Sequence, residues 1–111
     1  MHIFHLPENW SFDKIGHKGK IFATEGTIKS AQFVFLEVDN GIDVDLTQNE
    51  CDYYYLILEG EGYFEVEGQK EICVAGDLVA IPKKNKFTYK GKMKLMLVSV
   101  PPWFPEQESV S

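Results

Sequence analysis

Glycine and proline cut this chain into apolar runs too short for helices. Gly41, Gly60, Gly62, Gly76 and Gly91, with Pro82 and the pair Pro101-Pro102, interrupt it wherever an apolar stretch has run for a few residues. Such punctuation suits strands of four to eight residues joined by turns, because glycine reaches backbone angles that turns require and proline ends a hydrogen-bonded ladder. The spacing predicts strands over 20–24, 31–38, 53–59, 63–67, 71–74, 78–81, 86–90 and 94–100. The Gly60-Glu61-Gly62 string reads as a tight connection between two of them. No window has a helical period, and 9–15 holds a single turn at most. Many short strands with regular turns imply an all-β sandwich or barrel.

Alternation indicates which side chains share a face. Phe87 and Tyr89 oppose Lys86, Thr88 and Lys90, so the aromatic pair points inward. Phe64 and Val66 oppose Tyr63, Glu65 and Glu67, giving that strand one wet face. Residues 53–58 are apolar on both faces, which implies cover on both sides, by the interior and by a second layer or subunit. Residues 31–38 read the same way, with Phe33 and Phe35 opposite Val34, Leu36 and Val38.

The 111 residues suffice for one domain, and 44% hydrophobic residues can build a real core. A net charge of −6 argues against nucleic acid, whose binders need a basic footprint. Lys83, Lys84, Lys86, Lys90, Lys92 and Lys94 form the one basic stretch and read as a solvated strand face. No apolar run is long enough to span a bilayer as a helix. The first seven residues lack a basic region and an apolar core, and two cysteines, Cys51 and Cys73, suit reduced thiols. A cytoplasmic location is therefore expected.

Two blocks carry a more specific signal. The first is Gly41, five residues, Thr47-Gln48-Asn49, three residues, Tyr53, six residues, Gly60. The second is Gly76, five residues, Pro82, one residue, Lys84, two residues, Phe87, three residues, Gly91. This pattern resembles the paired motifs of the cupin superfamily, and it covers about half the chain. The resemblance implies a small antiparallel jelly-roll (RmlC-like) barrel, a site in its mouth and a homodimer. It implies one domain over 1–105, with an N-terminal strand region over 1–30 and a barrel core over 31–100. Trp103 and Phe104 are expected to fold back on the barrel or on a partner subunit, and 106–111 to form a mobile tail.

In that family the positions matching Thr47, Asn49, Tyr53 and Phe87 are typically three histidines and a glutamate that bind a metal. None of the four residues here is a good ligand for the usual divalent ions, so no metal and no other cofactor is expected. Asp43 and Asp45 read as a solvated acidic rim, and His2 and His5 as surface histidines. What remains is aromatic. Tyr53, Tyr55, Phe87 and Tyr89 are expected to line the mouth with Phe33 and Phe35, while Thr47, Asn49 and the tyrosine hydroxyls orient a ligand.

These residues leave three functions open. One is metal-independent binding of a small molecule, carbohydrate-derived in the family's manner, in an aromatic mouth. The second is a metal-free sugar isomerase or epimerase, in which His17 reaches the cavity and works with Tyr53 or Tyr89. The third is a structural or dimerisation module whose barrel is filled and whose outer face carries Leu56 and Leu58.

Overall fold

The computed structural model describes all residues, 1–111. Nine antiparallel strands make one curled sheet: β1 (Phe12–Lys14), β2 (His17–Ile21), β3 (Gln32–Val38), β4 (Leu46–Gln48), β5 (Asp52–Val66), β6 (Gln69–Val74), β7 (Leu78–Ile81), β8 (Lys86–Val100) and β9 (Glu108–Val110). One path runs β1-β2-β3-β8-β4-β9; β5 lies on the other side of β8 and carries β6 and β7 on its far edge. The all-β expectation and the antiparallel barrel class hold.

The longest strands depart from the expected pattern. β5 continues through Gly60-Glu61-Gly62, and β8 continues through Gly91, so each joins two expected strands into one. The glycines permit close approach instead of ending the ladder. Gly62 pairs with Gly91, and a Cβ on Gly60 or Gly62 would collide with the carbonyl oxygen of Lys92 or Lys90. A register shift between Ile57 and Glu59 adds a bulge, and bulges and glycines together let long paired strands curl. The stretch expected to hold a turn at 9–15 contains β1, and the predicted strand at 20–24 is displaced to His17–Ile21.

The core lies on the concave face. Val34, Leu36 and Val38 of β3 pair with Leu97, Leu95 and Met93 of β8, and all six are buried. Phe33 and Phe35 therefore take the convex face. Phe35 stacks on Trp10 at 6.4 Å between ring centroids; the expected place of both in the mouth is corrected by this register, since a strand cannot turn both of its faces inward. On β5 the buried residues are Tyr53, Tyr55 and Ile57, while Tyr54, Leu56 and Leu58 are 37%, 39% and 40% exposed. The second cover predicted for this strand is not supplied by the chain itself.

The C-terminal segment is also corrected. Trp103 packs against the core as expected, but the presumed tail forms a single 3-10 turn at Pro105–Gln107 and then β9, which pairs with β4. Backbone bonds Asp45 N–H to Ser111 O (3.1 Å) and Ser111 N–H to Asp45 O (2.9 Å) close its end. The segment is held because its backbone groups have ladder partners and Gln107 is buried among hydrogen bonds.

Candidate functional site

Two layers share the concave face. The deeper one is an aromatic floor. Tyr55, Phe87 and Tyr89 are fully buried, with Tyr53 and Phe64 nearly so. Phe64 stacks on Tyr89 at 4.8 Å, Tyr55 lies 5.1 Å from Phe64 and 5.3 Å from Tyr89, and Phe87 meets Tyr55 edge-on at 6.0 Å. Each contact of this kind contributes about 0.5–1.5 kcal/mol beyond area burial. Phe87 is thus core, and the barrel interior below the mouth is filled.

Above the floor a cavity of about 90 Å³ remains. Its lining includes Phe12, Lys14, His17, Gln32, Leu46, Tyr53, Tyr55, Trp103 and Glu108. Drug-sized ligands occupy roughly 300–1,000 Å³, so this cavity suits one ring-sized group. The first two strands reach it through a two-residue turn, Ile15-Gly16, between the paired Lys14 and His17. Both turn residues have positive φ, 51° and 94°, as a tight hairpin turn of this length requires. Such a φ is strained for a β-branched residue. The turn is held by Asp43 N–H donating to Ile15 O at 2.8 Å, and it places Lys14 and His17 side by side at the mouth.

His17 Nδ1 lies 3.0 Å from the Tyr89 hydroxyl, and the Tyr89 ring packs 5.3 Å from that of Tyr55. Burial, then the charge of Lys14, lowers the His17 pKa from 6.5 to about 4, against a smaller opposing effect of Asp13. The imidazole is therefore neutral at pH 7. Burial also raises the phenols of Tyr53, Tyr55 and Tyr89 well above their ordinary range, so all three keep their hydrogens. A hydroxyl carries one hydrogen and two lone pairs. Tyr89 can accept from His17 Nδ1–H, which leaves Nε2 as a base, or donate to Nδ1, which leaves Nε2–H as a hydrogen-bond donor. The first tautomer equips His17 to take up a proton and, once charged, to return it.

The structure brings His17, Tyr53, Tyr55 and Tyr89 together and separates Thr47 and Asn49 from them. On β4 the buried residues are Leu46 and Gln48, and Thr47 falls on the opposite face. The cause is register: Leu46 pairs with Phe87 across β4 and β8, which commits even-numbered residues to the interior. Asn49 donates instead to Gln107 O (2.8 Å) and Ser109 Oγ (2.9 Å), holding the C-terminal segment. Lys14, Gln32, Trp103 and Glu108 were not foreseen. A Lys-x-x-His string is a weak signal, and Glu108 lay in a segment with no expected strand.

A metal at the family's usual position does not fit these residues. Thr47 and Asn49 point elsewhere, Tyr53 holds its proton, and Phe87 has no donor atom. No group of three or more His, Cys, Asp or Glu side chains comes within metal-binding reach. The lysine stretch is dispersed: Lys86 pairs with Asp45 at 3.8 Å, and Lys94 with Glu37 and Glu59 at 3.9 and 3.5 Å. His2 stacks on Phe4 away from the mouth. No helix is long and apolar enough to cross a membrane.

No family model matches the chain, and no curated protein matches it in sequence. Solved structures do. Streptomyces PAC13, a nucleoside dehydratase also solved with uridine, matches with a TM-score of 0.90 at 21% identity, over 100% of this chain and 91% of that one. Ectoine synthase from P. lautus gives 0.77 at 18% identity, over 100% and 90%. KdgF from Halomonas sp. gives 0.71 at 20% identity, over 85% and 86%. All three are cupin-fold proteins.

This chain has the cupin fold. Within that fold the site described above occupies the barrel mouth, with β2 and β9 on its rim and β5 and β8 beneath.

Proposed function

We propose that the mouth binds a small, ring-bearing polar molecule and that His17 moves a proton on it without a metal. The observation that carries this is the 3.0 Å contact of His17, which lines the mouth cavity, through Nδ1 with the buried Tyr89 hydroxyl. With Nδ1–H donated to Tyr89, Nε2 takes a proton from a carbon beside a carbonyl. The C–H bond breaks, an N–H bond forms, and the electron pair moves to the carbonyl oxygen as an enolate. Return of the proton to another carbon or to the other face gives isomerisation or epimerisation. If the enolate instead expels a β-hydroxyl that takes the proton from Nε2, water is lost. A neutral imidazole is the state a base requires, and a positioned base contributes roughly 10²–10⁴-fold.

The reading is supported by the resemblance to PAC13, a nucleoside dehydratase solved with uridine. It is tested by NMR in D₂O on a panel of keto- and aldehyde-bearing sugars and nucleosides. Wild type should exchange one carbon-bound hydrogen, and His17→Gln should lose about 100-fold or more of that rate. Equal exchange by both, or none by wild type, overturns proton transfer.

A homodimer belongs to the same proposal. Tyr54, Leu56 and Leu58 lie on the convex face, flanked by Leu78 of β7 and half-buried Met96 and Val98 of β8. Contiguous exposed apolar side chains of this kind mark interaction surfaces, and a second copy docked by two-fold symmetry would cover them. The free, buried thiols Cys51 and Cys73 suit a cytoplasmic setting.

A further inference from the structure

We propose that Glu108 selects the ligand, accepting hydrogen bonds from two adjacent hydroxyls of a furanose or pyranose ring. This rests on the reading of the mouth as a ligand site and names the chemistry it recognises. The strand β9 places Glu108 opposite Gln48 in register, and both belong to the interior side of that pairing. Gln48 Nε2 donates to Glu108 Oε1 at 2.9 Å. Gln107 in turn donates to Gln48 Oε1 and accepts from the Glu50 backbone N–H at 3.2 Å. One carboxylate oxygen is thereby fixed from behind, and the other has no donor from the protein.

No lysine or histidine pairs with this carboxylate; the ion pairs of the chain are all elsewhere. It borders the cavity beside the Tyr53 phenol, with Lys14 also on the lining. Lys14 is drawn toward the Trp103 ring, 5.7 Å from its centroid. An ionised carboxylate only accepts hydrogen bonds, with about four lone-pair positions over two oxygens. Its charge repels an anionic group on the ligand and strengthens bonds from neutral donors about twofold over neutral pairs. Adjacent hydroxyls present two such donors at the spacing of a carboxylate. A cavity of about 90 Å³ admits the saturated ring that bears them and leaves a larger substituent at the rim, by Trp103.

Binding of uridine, ribose and 2′,3′-dideoxyuridine to the full chain, measured by calorimetry or saturation-transfer NMR, tests this. Uridine and ribose should bind, and dideoxyuridine at least about 10-fold more weakly than uridine, since sites built around a hydroxyl reject analogues lacking it strongly. Glu108→Gln keeps an oxygen for Gln48 and should abolish the discrimination. Glu108→Asp should reduce it, and serves if Glu108→Gln does not fold. The proposal is overturned if dideoxyuridine binds as tightly as uridine, if discrimination survives both variants, or if neither uridine nor ribose binds. Preferential capture of a simple alkylamine probe overturns it as well, in favour of a cation site. Failure of the His17 reading looks different: the diol preference persists in wild type while hydrogen exchange is absent.

Discussion

The floor and the mouth of this barrel are built from different parts of the chain and obey different physics. The floor comes mainly from the glycine-framed blocks, with Tyr55 of β5 and Phe87 and Tyr89 of β8, joined by Phe64 from the part of β5 between them, ring against ring. The mouth draws its polar groups from the chain's two ends: Lys14 and His17 from the first hairpin, Glu108 from the last strand. Tyr89 connects them, a buried floor residue whose hydroxyl serves the mouth. In this cupin fold, Phe87 packs in the floor at a position that suits a metal ligand in the family, and charged groups of the mouth come from segments outside the motifs.

Four changes test that division. Phe87→Ala should have the largest effect on stability, about 3–5 kcal/mol, read by chemical denaturation, because its ring has no collapsible neighbour in a stacked floor. A much smaller loss would show that the floor is loosely packed. Acid should act next, through the mouth. His17 titrates at about 4 in the folded protein against 6.5 unfolded, so between these values the unfolded chain binds more protons. Stability is complete above about pH 6.5 and falls as pH drops toward 4. The wild-type loss over that window should exceed that of His17→Gln by at most about 3 kcal/mol. Identical pH profiles would mean that His17 is solvated.

Gln48→Ala leaves the buried Gln107 amide without its acceptor and frees Glu108. A destabilisation of about 1–3 kcal/mol follows, with faster backbone hydrogen exchange confined to β9. Exchange that rises equally in β5 would place Gln48 in the floor instead. Tyr89→Phe should have the smallest effect on stability, about 0.5–1.5 kcal/mol for one hydrogen bond. It should nevertheless shift the His17 titration followed by NMR. An unchanged titration would separate floor from mouth altogether.

Much of the floor was legible in sequence. Alternation identified Phe87 with Tyr89 and Phe64 with Val66, because a pleated strand turns every second side chain to the same side. The glycines were located correctly but misread in role at Gly60, Gly62 and Gly91. A residue that allows a turn also allows two backbones to touch, and only the partner strand distinguishes these uses. Phe35 was misplaced for a similar reason: β3 is apolar on both faces, and its pairing with β8 decides which face is inside. Thr47 was expected at the mouth from its motif position alone, and the register of the three-residue β4 against β8 turns it to the opposite face. His17 and Tyr89 stood out as candidates, but their contact spans 72 positions, a separation that local pattern does not encode.

The sequence by itself determined an all-β chain and an aromatic interior, since these follow from residue type at regular spacing, while its resemblance to the cupin motifs implied the barrel and the absence of the family's metal ligands. Tertiary structure alone decided that the mouth is open above a filled floor, that His17 meets Tyr89, and that the last residues bring Glu108 to the site. Those outcomes depend on strand register and on pairing between distant segments, where a shift of one residue sends a side chain to the opposite face.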